Sequence, residues 1–177
     1  MSADLEYRLT GGAANSDPDA SLGGLMSSVL VSSTPMNNIF DNVLPEEAIQ
    51  SVGYDDYRAI DIYNDGDATA ESVNIWVGTP TPSTDSHLEI GYDTSTKDGS
   101  NPGSTSHTSS WNGETIANED TAPASPSVSF VARYVSSELV LPDIPASEAI
   151  RVWFKRVIQG GADNIANDLA TIVVRFA

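Results

Sequence analysis

Apolar residues along the chain recur at every second position in short runs. Residues 57–63 (YRAIDIY) alternate and end in the turn sequence NDGD at 64–67. In residues 72–77, Val73, Ile75 and Val77 share one face. In 87–92 the set is Leu88, Ile90 and Tyr92, and in 128–134 it is Val128, Phe130, Ala132 and Tyr134. Residues 149–158 place Ile150, Val152, Phe154 and Ile158 on one side and Arg151, Trp153 and Lys155 on the other. The last run, 169–176, carries Ile172, Val174 and Phe176. Period two over short segments bounded by Gly, Pro, Asn and Ser predicts half-buried strands joined by turns. No segment sustains a period of 3.6, although the Pro and Glu residues at 45–50 suit a single helical turn. The pattern predicts an all-β fold, an antiparallel immunoglobulin-like or jelly-roll-like β-sandwich.

The spacing of these runs divides the chain. Residues 1–50 mix glycine and small polar residues with the apolar anchors Leu5, Tyr7, Leu22, Leu25, Met26, Val29 and Leu30. This predicts an extended N-terminal arm able to add a strand to a neighbouring subunit, with residues 24–33 as a first strand of the sandwich. Residues 51–177 form the expected sandwich domain, interrupted at 94–113 by TSTKDGSNPGSTSHTSSWNG. That composition predicts a long exposed loop.

Charge narrows the partners. With 25 acidic and 8 basic residues the net charge is −17. A polyanion lacks the basic footprint that nucleic acid or an anionic membrane surface requires. Residues 129–177 hold five basic and five acidic side chains, so the excess negative charge lies before them. The start, MSADLE, has no basic and apolar leader pattern, and no run reaches the ~18 apolar residues of a membrane helix.

The search for chemistry predicts no catalytic residue, no cofactor and no metal. Cysteine is absent, which removes thiolate ligands and thiol nucleophiles. His87 and His107 sit in or beside the Ser/Thr-rich region, and no serine lies in a nucleophile elbow. The acidic turn 64–67 lacks the twelve-residue calcium loop and reads as a hairpin turn using Asn and Gly at positive φ. Phosphate-binding glycine patterns are missing. Two features instead predict contact surfaces: the N-terminal anchors, and Trp153 flanked by Arg151 and Lys155 on an outward strand face. Trp76 lies similarly opposite its strand's apolar set. Trp and Arg are the residues enriched in interface hot spots.

Two segments carry a resemblance. IYNDGDATAESVNIWV resembles a strand–turn–strand of immunoglobulin-like modules. LPDIPASEAIRVWFKR resembles a later corner of the same modules, with Pro142 and Pro145 ending one strand and Ile144 tucked beneath. More broadly, the succession LEYRLTGGAANSDPDASLGG, NIWVGTPTPSTDSHLEIGYD, ETIANEDTAPASPSVSF and LPDIPASEAIRVWFKRVIQGGADNIAND is similar to small structural proteins of tailed-phage virions. The stretch 94–113 departs from that pattern as an insertion. The resemblance implies a non-enzymatic virion protein, assembled in the host cytoplasm, that decorates or cements a capsid. Its implied partners are the major capsid protein and sister copies in a homo-oligomer. A tail, neck or baseplate component is the alternative within the same class. A carbohydrate-binding module is the alternative outside it, and would show coplanar exposed aromatics.

Overall fold

The computed structural model describes residues 2–34, 38–43, 46, 52–93, 109–124, 129–163 and 168–177. In chain order their strands are β1 (Leu5–Thr10), β2 (Gly23–Leu30), β3 (Tyr54–Asn64), β4 (Asn74–Thr79), β5 (Ser86–Tyr92), β6 (Asn112–Thr115), β7 (Leu139–Val140), β8 (Ala149–Ile158) and β9 (Thr171–Arg175). They form two antiparallel sheets, β5-β8-β3-β1-β2-β6 and β7-β4-β9. The predicted all-β sandwich is the fold.

Six of the strands follow the order of an immunoglobulin-like sandwich, while β2, β6 and β7 lie outside that scheme. In that fold one sheet runs A-B-E-D and the other contains C beside F. Here β1, β3, β8 and β5 stand in the A, B, E and D places, and β4 and β9 in those of C and F. The central pair β3–β8 is long, with ten consecutive paired positions from Tyr54↔Ile158 to Tyr63↔Ala149.

The main core lies between the sheets. Ile60, Ile62, Ile90, Ile150, Val152 and Phe154 from the large sheet meet Val73, Ile75, Val77, Leu139 and Leu141 from the small one. These are the apolar sets that period two assigns to one face of each strand. Ile144 is fully buried at its corner and bridges Ala70, as its placement between two prolines predicts.

In the N-terminal segment the sandwich strand expected at 24–33 is β2. The segment is extended, and β1 lies between β3 and β2 within the chain's own sheet. Beyond β1 the sheet curls over the second face of β3–β8. The Ser21 carbonyl accepts from Ala59 N–H at 2.8 Å, and the Tyr57 N–H donates to the Glu119 carbonyl at 2.7 Å. Gly23, at φ +93°, makes the curl sterically feasible. A side chain there would collide with the Glu114 carbonyl and press on the Trp153 ring.

The turn at 64–67 works differently from its sequence reading. Neither Asn64 nor Gly66 has positive φ. Asn64 is buried, and its amide donates to Ala68 and Ile144 carbonyls at 2.7 and 2.8 Å. Its Oδ1 accepts from the Asp4 and Gly66 N–H groups at 3.2 and 3.0 Å. Glycine is required at 66 because a Cβ would run into the backbone of residues 2–4.

Of the run 128–134, Val128 is outside the described residues, and the rest forms no strand but a bridge from Val131 to Ile90 and a bond from Val77 N–H to the Arg133 carbonyl at 2.8 Å. Of the predicted helical turn 45–50 only Glu46 is described, and it is helical. Residues 94–108 of the predicted loop, with His107, also lie outside. Its end is not an exposed loop: Trp111 is buried and β6 begins at Asn112.

Candidate functional site

The residues expected to form a contact surface are mostly interior. Trp153 is fully buried, in a cluster with Tyr57, Ala59, Ile116, Leu22 and Phe130. Arg151 is equally buried and binds Asp61 through two bonds, Nε to Oδ1 at 3.1 Å and Nη2 to Oδ2 at 2.8 Å. Its guanidinium lies 4.8 Å from the centre of the Trp111 ring. Lys155 is half-buried, 2.9 Å from Asp55 and 3.7 Å from Glu89. Burial pulls the ammonium down, but the Asp55 hydrogen bond, with Tyr57 and Glu89, carries it above the usual lysine value. The three side chains do share a face, as two-residue spacing requires. That face points into the curl of the sheet, not to solvent.

Trp76 is on the outer face of the small sheet, yet it is only 9 % exposed. The Arg175 guanidinium lies 5.5 Å from its ring centre and pairs with Glu138 at 2.7 Å. Among the N-terminal anchors, Met26 is buried, while Leu5, Leu22 and Leu25 are half-buried. Val29 is also half-buried, and Tyr7 and Leu30 are exposed, at 38 and 51 %.

A second charged group, which the sequence reading missed, closes the other end of β3–β8. Cross-strand pairing sets Asp56 opposite Arg156, and Nε of that arginine donates to Asp56 Oδ2 at 2.6 Å. Arg156 also donates to the Asp41 carbonyl at 2.6 Å. Arg58 is fully buried, bound to Glu119 and 3.6 Å from both Asp19 and Asp41. Phe40 lies against both guanidiniums, with ring centres 5.7 Å from Arg58 and 4.9 Å from Arg156. Two guanidiniums thereby gather carboxylates from the turn after β1, from residues 38–43 and from the segment after β6. Burial raises the Asp56 carboxyl above its ordinary value despite Arg156. Burial and then Asp41 raise Asp19 as well. The legible signal was Asp56 and Arg156 at facing positions of two long strands. The gathering of Asp19, Asp41 and Glu119 had no sequence signal, because those contacts span up to 115 residues.

Perturbed carboxyls can mark catalytic sites, but structural ion-pair networks produce them too. Here the carboxylates surround arginines. A shallow cavity of about 360 Å³ opens nearby, with Val52, Gly53, Tyr54 and Gln159 in its wall. Its one carboxylate, Asp55, is the partner of Lys155. His87 is half-buried, 3.6 Å from Glu89. Among the described residues no group of three or more His, Asp or Glu side chains is arranged to hold a metal ion.

The described cations are thus drawn into the chain's own ion pairs. Seven of the eight basic residues are described, and six of them pair with acidic partners: Arg8, Arg58, Arg151, Lys155, Arg156 and Arg175. Exposed apolar side chains occur in the segment 134–140, which leads into and includes β7. Val135 is 70 % and Val140 65 % exposed, beside Tyr134.

Comparison with protein-family models, with curated proteins and with solved structures finds no match. No helix among the described residues is long and apolar enough to cross a membrane.

Proposed function

We propose that this chain is a non-enzymatic structural protein of a tailed-phage virion, which decorates or cements the capsid by docking on the major capsid protein and on sister copies. The reading starts from the sequence resemblance. The observation that carries it further is the capture of the cations. With Arg58, Arg151 and Arg156 paired inside a chain of charge −17, the outer surface is strongly acidic. Such a surface suits docking on a basic one. The outward contact face expected of Arg151, Trp153 and Lys155 plays no part in this reading, because Arg151 and Trp153 are buried and Lys155 is half-buried. Tyr134, Val135 and Val140 supply exposed apolar side chains on the segment 134–140.

The carbohydrate-binding reading loses support from the same geometry. A sugar platform needs exposed flat aromatics, and Trp76, Trp111 and Trp153 are 9, 6 and 0 % exposed.

The test is co-sedimentation of the purified chain with capsid shells that lack it. Saturable binding at low salt that weakens as ionic strength rises is the expected result, because exposed charge pairs are screened. A chain that stays in the supernatant at every salt concentration refutes capsid docking. Antibody labelling of tails or baseplates in whole virions would then move the role there.

A further inference from the structure

The A-B-E-D and C-F places of the immunoglobulin arrangement are filled, and in that arrangement a further strand, G, flanks F. Here F is β9, and it pairs with β4 on one side. Among the described residues no strand pairs with its other side. The interior next to that edge is correspondingly open. Ile172 and Val174 of β9 face the core yet remain half-buried, whereas Ile75 and Val77 on neighbouring β4 are 0 and 3 % exposed.

Sheet edges are ordinarily blunted by charge, proline, brevity or a covering segment. β5 is covered at Ile90, which exchanges backbone bonds with Val131 at 3.0 and 3.4 Å. β7 is two residues long and β6 four. β9, with the sequence TIVVR, has β-branched residues, no proline and no acidic side chain. Its single charge, Arg175, is turned to Glu138.

We infer that the free edge of β9 is an acceptor for a strand donated by a different, basic protein. The donor's inward side chains are β-branched and complete the half-open core beside Ile172 and Val174. Its outward side chains are lysine or arginine. Charge selects this occupant over a second copy. A sister chain brings another −17 to the contact, whereas a basic strand meets a surface on which six of the seven described cations are already paired. Main-chain hydrogen bonds then provide affinity and alternate side chains provide specificity. The inference does not depend on the partner being a capsid protein.

The experiment uses the full chain and a nine-residue peptide of alternating lysine and valine. Backbone hydrogen exchange is followed at residues 171–175. At saturation, exchange of the β9 amides not bonded to β4 should slow at least tenfold. The same peptide with glutamate for lysine should give no protection at equal concentration, and a version N-methylated along its backbone should give none. Unchanged exchange at 171–175 with the lysine peptide overturns the acceptor edge. Equal protection by the glutamate peptide overturns the basic donor. Protection that grows with protein concentration in the absence of peptide makes a second copy the occupant and overturns the choice of a foreign strand.

Discussion

On one face of β8, Ile150, Val152 and Phe154 pack against the small sheet in a wholly apolar core. On the other face, Arg151, Trp153 and Lys155 lie beneath the curl formed by residues 21–24 and 111–116. Both faces are interior, but they are built by different chemistry. The apolar face is satisfied by contact alone. The second face encloses a guanidinium and a carboxylate with no bulk water around them, so each depends on the other for charge compensation. The contrast shows that polar alternation in a central strand marks which face carries paired charges, not which face is wet.

The largest effect should come from the residue that the alternation placed outside. Trp153→Ala should lower unfolding free energy by about 3–5 kcal/mol, as truncation of large buried aromatics does. Phe154→Ala on the opposite face should cost a comparable amount. Chemical denaturation of both variants checks this, and a parental midpoint for Trp153→Ala would return the indole to the surface.

The buried ion pair separates the faces further. Arg151→Met strips Asp61 of its guanidinium and should cost about 3–5 kcal/mol. Combining it with Asp61→Leu should recover most of the loss, since apolar replacement of a whole buried pair is often close to neutral. If the double variant is no more stable than the single one, the second face is not behaving as a dry interior.

A smaller effect is expected from pH. Asp19 and Asp56 have raised carboxyl values in the folded chain, so the folded state binds protons more readily than the unfolded state. Their penalty is fully present above the raised folded values. It is relieved as pH falls through them toward the ordinary carboxylate range, so stability should rise on mild acidification. Repulsion within a chain of charge −17 acts in the same direction. Melting temperature measured from pH 8 to 5 tests the sign. Asp19→Asn should flatten the slope more than Asp120→Asn, because Asp120 is exposed and no close basic partner is seen for it among the described ion pairs. Equal slopes would remove the cluster from the explanation.

The smallest effect belongs to the outer face of the small sheet. Arg175 is 60 % exposed in its pair with Glu138, and surface pairs contribute ~0–1 kcal/mol. Arg175→Ala should therefore leave the denaturation midpoint nearly unchanged while making Trp76 more accessible to a fluorescence quencher.

Much of the fold was legible along the chain. Alternation located β3, β4, β5, β8 and β9, and the inward sets Val73/Ile75/Val77 and Ile150/Val152/Phe154 are core in the structure. Those readings succeed because two-residue periodicity is local and one apolar face per strand is enough to specify it. The 128–134 run shows the limit: its alternation is equally regular, yet its described part makes only isolated backbone contacts, Val131 with Ile90 and the Arg133 carbonyl with Val77 N–H, since a strand also requires an available edge.

The sequence by itself determined an all-β sandwich, its acidic character and the apolar face of most strands, because these depend on side-chain type and on spacings of two. Tertiary structure alone decided that residues 5–10 pair within their own sheet, that Trp153 and Arg151 are interior, and that Asp19, Asp41 and Glu119 gather around Arg58. The physical reason is common to all three. A strand's position in its sheet determines whether its second face is covered, and that position is set by pairings between residues tens to a hundred positions apart.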